Sequence, residues 1–256
     1  MQSIANNPDF TILDETEDYV VVNKPAPLQI HPKKPGGPVT LYDGLRELLA
    51  YEMANGGQVS IINRLDRETS GVVLIAKNSQ TARQFGLAMQ ERRFQKRYLA
   101  IAEGWPSWES TVCEAPILRQ GEVEPSEIWV KQTVHENGSP CTTQFRRLEC
   151  FERLVEGKRR AFSIIEARPI TGRMHQIRVH LSHLGHPILG DKIYGPDETC
   201  YLDFVRAGWT PDLESRLILP RHALHSTELR LKTESFSACW TSPLPDDLKH
   251  WIESSE

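Results

Sequence analysis

The sequence predicts an α+β fold, built on a mostly antiparallel sheet with helices and loops around it. Segments with strand composition predominate, and they often follow one another directly, most clearly over residues 106–168. The helical segments are few. They do not alternate regularly with strands, as they would in a parallel β-α-β fold.

Two strands, a loop and a helix are predicted first. Residues 11–25 (TILDETEDYVVVNKP) indicate two strands around an acidic turn, and the proline and glycine content of residues 31–38 indicates a loop. Residues 40–53 have the apolar spacing of a helix. Its predicted apolar side contains Leu41, Leu45, Leu48 and Leu49.

A buried strand and a second helix come next. The run Val72–Ala76 is short, rich in β-branched residues and bounded by Gly71 and Lys77, which is typical of a buried strand. Ser79 is the predicted cap of a helix over residues 80–94. The predicted core face of that helix contains Ala82, Phe85, Leu87 and Met89.

The rest of the chain is mostly strand, with one clear helix. Residues 96–105 indicate a strand, and four further strands are predicted over residues 111–117, 126–134, 141–150 and 161–169. Residues 171–185 indicate a helix that ends at Gly185. A loop follows, and then residues 221–231 and 235–240 indicate the final strands.

The helix over residues 171–185 brings an arginine close to its apolar side. The predicted apolar stripe contains Met174, Ile177, Leu181 and Leu184. Arg178 lies only about 40° from Met174 around the helix axis. A guanidinium so near the core needs an acidic partner. The predicted exposed side, suited to phosphate or ribose contacts, contains Arg173, Gln176, His180 and His183.

Composition points to a cytoplasmic globular protein. Charged residues make up 25% and apolar residues 39% of the chain. No apolar stretch approaches the roughly 20 residues of a membrane span, and the N-terminus lacks the pattern of a signal peptide. The five cysteines form no C-x-x-C pair, so we expect reduced thiols. The net charge of −4 argues against coating nucleic acid through bulk charge, although residues 91–98 form a local basic cluster.

Four histidines raise the question of a metal site. They are His175, His180, His183 and His186. No carboxylate or cysteine lies close by in sequence, and there is no H-E-x-x-H motif. We therefore expect no metal and interpret these histidines as polar-face or core residues.

Four motifs occur in a characteristic order along the chain. They are RLDRETSG at residues 64–71, KRYLA at 96–100, GRMHQIRVHL at 172–181 and GHPILGDKIYG at 185–195. Together with VVNKP (21–25) and RHALHSTEL (221–229), they resemble the RluA-like family of RNA pseudouridine synthases. The resemblance covers about residues 10–250.

The resemblance implies a pseudouridine synthase fold with an active-site cleft across the sheet. It implies one catalytic domain over residues 10–256, after a tail of residues 1–9, and no cofactor. Asp66 would be the catalytic residue, Tyr98 would line the uracil pocket, and Arg178 would pair with Asp66. Arg64 would help to displace the target base. The other predicted RNA- or uridine-binding residues are Asn63, Thr69, Arg173, His175 and Gln176.

The chain departs from the family pattern at two positions. Asn63 stands where the family usually has histidine before R-L-D. We expect altered backbone or RNA contacts there rather than lost activity. Pro27 stands where the family usually has glycine in K-P-x-G, and proline restricts that turn. We also expect no basic RNA-binding module ahead of the first strand.

Several alternatives stay open. Asp66 could attack C1′ of the nucleoside as a nucleophile or remove the C2′ proton as a base. Taken alone, D-x-x-T-S-G also suits an ordinary turn before a strand. A catalytically silent RNA-binding protein on the same fold is a second class of function. A glycosidase is a third, but it usually needs two carboxylates, and Glu68 is a poor second candidate.

The expected partner is RNA. We predict that the chain recognises a ribosomal or transfer RNA stem-loop by its shape and modifies one uridine. We expect a monomer with no obligate protein partner and no membrane association.

Overall fold

The computed structural model describes residues 9–32, 36–234 and 236–253. The strands are β1 (Thr11–Glu15), β2 (Tyr19–Lys24), β3 (Ser60–Ile61), β4 (Ser70–Ala76), β5 (Phe94–Glu103), β6 (Ser110–Cys113), β7 (Ile117–Arg119), β8 (Gln132–Val134), β9 (Thr143–Val155), β10 (Lys158–Pro169), β11 (Leu224–Lys232) and β12 (Ser237–Thr241). The helices are α1 (Leu41–Leu48), α2 (Ala50–Ala54), α3 (Ser79–Gln90), α4 (Gln176–His183), α5 (Thr199–Ala207), α6 (Pro211–Leu217) and α7 (Asp246–Glu253). This confirms the α+β class. The predicted tail falls almost wholly outside the described residues.

The described chain forms two compact units. The first runs to Gln95 and includes Ser226–Leu244, and the second comprises Lys96–His225 and the segment from Pro245 onward. Along the described residues, no helix combines the length and apolar content that a membrane crossing requires. All five cysteines are free thiols.

The first unit is organised around the buried strand β4. The strand order is β1-β2-β4-β11, with β3 on β4 and β12 on β11. The pairs β1–β2, β2–β4, β3–β4 and β11–β12 are antiparallel. Every residue of β4 is buried, as its apolar run predicts. Tyr19, Phe85 and Trp240 pack against this strand in one apolar cluster.

The second unit is organised around a long hairpin. Its strand order is β5-β10-β9-β6, all antiparallel, and β7 and β8 form a separate two-stranded sheet. Helix α4 contacts β8, β9 and β10. Near the C-terminus, the Trp251 ring of α7 lies 4.9 Å from the Phe162 ring at a right angle.

Details of the two N-terminal helices differ from the prediction. The segment over residues 40–53 is divided at Leu49 into α1 and α2. Leu48, predicted on the apolar side, is exposed. Helix α3 is capped by the Asn78 side chain, which accepts the Thr81 N–H at 2.9 Å, rather than by Ser79. Leu87 of α3 is also exposed, and its neighbour Ala88 is buried instead.

The helix predicted over residues 171–185 begins later than expected. It starts at Gln176, after His175 in a left-handed backbone conformation. Met174 therefore lies outside the helix and is exposed. The predicted exposed side was partly wrong, because Gln176 and His180 are both buried. The predicted end is confirmed, since Gly185 has a φ of 81° and follows the last turn.

The C-terminal half contains more helix and less strand than predicted. The segment treated as a loop before residue 221 contains α5 and α6, and α7 was not predicted. Residues 126–134 are mostly irregular, with strand only at Gln132–Val134. In the segment 31–38, residues 33–35 lie outside the described residues, and the others are irregular as predicted.

Candidate active site

Asp66 lies in the loop that leads into β4. Its carbonyl accepts the Thr69 N–H at 3.1 Å, which closes a tight turn, and Thr69 and Ser70 are buried. Gly71 follows with a φ of +113°, and a Cβ there would lie 2.2 Å from the Ser226 carbonyl oxygen. Only glycine permits this close approach to β11. The turn after Asp66 is therefore held tightly against the sheet of the first unit.

Asn63 connects this loop to β4. Its Nδ2 donates to the Val72 carbonyl at 2.9 Å, and its Oδ1 accepts the Leu74 N–H at 2.8 Å. The side chain is buried. Asn63 therefore binds the backbone of β4 on both sides of its amide, and whether these contacts differ from those of the family's histidine stays a prediction. Direct RNA contact by Asn63 stays a prediction.

Lys24 is a buried residue whose role the sequence did not reveal. Its Nζ donates to the carbonyls of Pro25 at 2.9 Å, Leu28 at 2.8 Å and Arg67 at 3.2 Å. The Leu28 N–H also donates to the Arg67 carbonyl at 2.9 Å. The ammonium group thus joins the segment after β2, which contains a cis Ala26–Pro27 bond, to the Asp66 loop. The VVNKP motif was the available signal.

Arg64 lies on the exposed side of the same loop. Partial burial, together with the positive charge of Arg64, lowers the pKa of His31. The His31 ring packs against the Tyr42 ring, with centroids 5.3 Å apart. An exposed guanidinium next to the catalytic candidate agrees with the predicted role of Arg64 in displacing a base, which stays a prediction.

In the second unit, Tyr98 is a buried residue of β5, opposite Ala167 of β10. Lys96 lies two residues earlier and so projects from the same face of the strand. Burial lowers the pKa of Lys96. Its Nζ lies 3.6 Å from the place where a Cβ on Gly172 would be. The K-x-Y motif and the start of the GRMHQIR motif therefore meet within this unit.

Arg178 has the acidic partner that its position requires, and that partner is Asp191. The guanidinium donates to the carboxylate through Nε at 2.7 Å and a terminal nitrogen at 2.9 Å. Both residues are buried, and Asp191 Oδ1 also accepts the N–H groups of Ile193 and Tyr194. Burial opposes ionisation, but the Arg178 charge and these hydrogen bonds hold the pKa of Asp191 below its ordinary value.

Sequence reasoning did not identify Asp191. The motif GHPILGDKIYG was the signal, because it places Asp191 in a tight turn with Gly195, where a Cβ would lie 2.2 Å from the Asp191 carbonyl oxygen. The predicted pairing of Arg178 with Asp66, which belongs to the other unit, stays a prediction.

Tyr194 links three parts of the second unit. Its hydroxyl accepts the Gln132 N–H at 2.9 Å and lies 2.8 Å from His175 Nδ1. The Arg178 guanidinium lies 5.0 Å from the Tyr194 ring centroid. Tyr194 thus positions both His175 and Arg178.

Gln176 uses its whole side-chain amide within the protein. Oε1 accepts from the Thr171 hydroxyl at 2.8 Å and the Arg173 N–H at 3.0 Å. Nε2 donates to the Thr142 carbonyl at 3.0 Å and the Thr143 hydroxyl at 2.9 Å. An RNA contact by Gln176 would break one of these bonds. Arg173 is exposed, and so it is the better placed of the two for RNA.

His180 of α4 and His186, just beyond the helix, make hydrogen bonds to the protein. His180 Nδ1 lies 2.9 Å from the Thr143 hydroxyl oxygen, and His180 Nε2 lies 2.9 Å from the Ala115 carbonyl oxygen. His186 Nδ1 lies 3.0 Å from the Glu103 carbonyl. Within residues 9–32, 36–234 and 236–253, no cluster of three or more ligand side chains is suited to a metal ion.

Comparison with known proteins gives consistent matches. A family model described as RNA pseudouridylate synthase matches residues 18–183. Ribosomal large subunit pseudouridine synthase D of Haemophilus ducreyi is 33% identical over 97% of this chain and 71% of its own length. An uncharacterized RNA pseudouridine synthase of Chloroflexus aurantiacus is 38% identical over 89% of this chain and 63% of its own length.

Solved structures show the same similarity. Human RNA Pseudouridylate Synthase Domain Containing 4 is 25% identical, with a TM-score of 0.71, and the match covers 94% of this chain and 91% of that one. Human RNA Pseudouridylate Synthase Domain Containing 1 is also 25% identical, with a TM-score of 0.70 and coverage of 96% and 89%.

Proposed function

Because the chain belongs to the RNA pseudouridylate synthase family and is an isomerase that acts on RNA, we propose that Asp66 converts a uridine of large-subunit ribosomal RNA to pseudouridine. The observation that carries the proposal is the fixed loop around Asp66, held by Lys24, Asn63 and Gly71. The names of several relatives favour ribosomal over transfer RNA.

The reaction needs little beyond one carboxylate in a water-poor site. The N1–C1′ bond of uridine breaks, the base turns, and C5 bonds to C1′. C5 then loses its hydrogen as a proton, and N1 gains one. Asp66 either attacks C1′ or takes the C2′ proton. A slower reaction of C2′-deuterated uridine would assign the base role, and an equal rate would assign attack at C1′.

Two residues of the second unit complete the proposed machinery. Tyr98 would stack on the uracil and keep its hydroxyl near the moving proton. Arg178 would favour the carboxylate form of Asp66, because a nearby cation stabilises that form. Its pairing with Asp191 supports this role by holding the guanidinium in one orientation. The target uridine must also leave its stack, at a cost of a few kcal/mol.

RNA contact outside the base is proposed for exposed residues. Arg64 would fill the space that the flipped uridine vacates, and Arg173 would bind phosphate. Thr69 and His175 would contact RNA only through the parts of their side chains that the protein leaves open. We place the enzyme in the cytoplasm, consistent with its five free thiols, and infer a monomer that needs no cofactor.

The test follows tritium release from uridine labelled at C5. Unmodified ribosomal and transfer RNA transcripts are treated with wild-type protein, Asp66→Asn and Glu68→Gln. We expect release from ribosomal RNA by wild type and by Glu68→Gln, and none by Asp66→Asn. Glu68 is the matched control because it is the other carboxylate of the same loop. RNA binding by wild type without any release would instead support the catalytically silent alternative.

A further inference from the structure

Three arginines surround one buried carboxylate in the sheet of the second unit. Arg168 Nε lies 3.0 Å from Glu166, and terminal nitrogens of Arg146 and Arg97 lie 3.5 and 3.7 Å from it. Glu166 is buried, whereas the arginine side chains are 40 to 56% exposed. We call these four residues the arginine patch.

The patch carries more positive charge than its own ion pairs need. Arg146 and Arg168, the two most exposed members, both pair with Glu166, and two guanidiniums with one carboxylate leave a net charge of +1 (2 − 1 = 1), in a chain whose net charge is −4. Like charges on neighbouring strands repel each other, and ion pairs of exposed residues contribute little to stability. The surplus charge is therefore not explained by folding. It is suited to a ligand with several closely spaced negative charges.

Strand geometry locates the patch relative to Tyr98. Tyr98 and Phe145 both lie opposite Ala167, so these residues share one face of the sheet. Side chains alternate along strands, which places Arg97, Arg146 and Arg168 on the other face. All three arginines lie close to one end of their strands.

Positive charge continues around that end of the sheet. Arg168 is followed within five residues by the exposed Arg173. Lys96, on the Tyr98 face, lies next to Gly172. A polyanion reaching the Tyr98 face could therefore pass over the strand ends and meet the patch without leaving basic surface.

We propose that the arginine patch binds backbone phosphates of the RNA that flanks the target uridine. The proposal rests on the proposed function, since it assumes that RNA reaches Tyr98. Guanidiniums match phosphate oxygens in pairs, and Glu166 keeps the three side chains close together. Such contacts position the RNA without reading its sequence.

The test is the salt dependence of RNA binding. Arg146→Gln/Arg168→Gln and wild type bind unmodified large-subunit ribosomal RNA transcripts over a series of KCl concentrations, measured by filter retention. Each phosphate contact changes the slope of log K against log salt by roughly 0.7–0.9. We expect the slope to fall by about 1.4–1.8 in the double variant. Arg146→Lys/Arg168→Lys, which keeps both charges, should recover most of the slope.

The matched control is Arg159→Gln/Arg206→Gln. Both of these arginines are exposed, each is paired with one acid, and their loss changes the net charge equally. The slope of log K against log salt for this control variant should stay at the wild-type value. Equal slopes in the patch and control variants would overturn the proposal. Binding is measured separately from turnover. A lack of tritium release would therefore refute the proposed function, and the comparison of the binding slopes could still be interpreted.

Discussion

Asn63 is a single residue on which the position of the Asp66 loop depends. Its amide satisfies one buried acceptor and one buried donor of β4, the Val72 carbonyl and the Leu74 N–H. Leaving buried backbone groups without partners costs about 1–3 kcal/mol each. An imidazole can also donate through one nitrogen and accept through the other, which explains how asparagine can stand where the family usually has histidine.

We therefore expect Asn63→Ala to lower the free energy of unfolding by about 2–4 kcal/mol. Tritium release should fall with it, because the loop loses its anchor on β4. Asn63→His should retain most of the wild-type stability and most of the tritium release. Urea unfolding and the C5 release assay measure the two effects. Asn55→Ala, which removes one exposed side-chain bond to the Tyr51 carbonyl, is the control and should cost under about 1 kcal/mol. Unchanged unfolding in Asn63→Ala would contradict the anchoring role.

Helix α4 shows which part of an element can be predicted from its sequence. The end was predictable because Gly185 adopts the positive φ that terminates a helix locally. The first turn of the helix and its buried side were not predictable, because a helical wheel assumes that polar residues face solvent. Gln176 and His180 instead face inward, where Thr143, on a strand more than thirty residues earlier, supplies their partners. Partners so distant in sequence leave no local pattern.

Helices α5 and α6 differ in how clearly the sequence indicates them. The segment Thr210–Leu213 contains a real start signal, a threonine followed by proline, and the Thr210 hydroxyl accepts the Leu213 N–H at 3.3 Å. Helix α5 begins after Glu198 without a side-chain cap bond. Thus α6 could have been predicted, whereas α5 depends on packing of Cys200 against Leu213 and Leu217 in one buried cluster.

His180 makes α4 sensitive to pH. Burial lowers its pKa in the folded protein below the usual histidine value of about 6.5. The unfolded chain therefore binds a proton more readily, and stability present above about pH 6.5 is lost as the pH falls below it. We expect a slope of up to about 1.4 kcal/mol per pH unit from this residue. This dependence of stability on pH should be absent from the His180→Gln variant.

Urea unfolding between pH 7.5 and 5 measures this effect. The His180→Gln variant should be less stable at pH 7.5, because its contacts with Thr143 and Ala115 change, but its curve against pH should be flatter. His250→Gln, which replaces an exposed histidine of α7, is the control and should follow wild type. A His180→Gln curve parallel to wild type would exclude His180 as the source of the pH dependence.

At the scale of the whole molecule, we expect Asp191 to contribute both to stability and to activity. Fold class, motif order and the positions of Asp66, Tyr98 and Arg178 could be predicted because they depend on contiguous sequence. The residues that hold them, Lys24 and Asp191, could not, because their bonds join separate segments. These two interior charges are fully desolvated, and each is matched by groups that the fold brings from elsewhere in its own unit.

Replacing Asp191 by Asn should therefore affect folding, acid stability and catalysis together. Removing the Asp191 charge from its buried pair with Arg178 is expected to cost about 3–5 kcal/mol. Because the folded pKa of Asp191 is lowered, wild type should lose this residue's contribution only as the pH falls below about 4, and Asp191→Asn should lack that loss. Tritium release should drop at pH 7.5, since Arg178 loses its fixed orientation. Asp212→Asn, an exposed carboxylate paired with Arg216, is the control and should stay within about 0.5 kcal/mol of wild type. Full stability and full release in Asp191→Asn would show that Arg178 needs no such support.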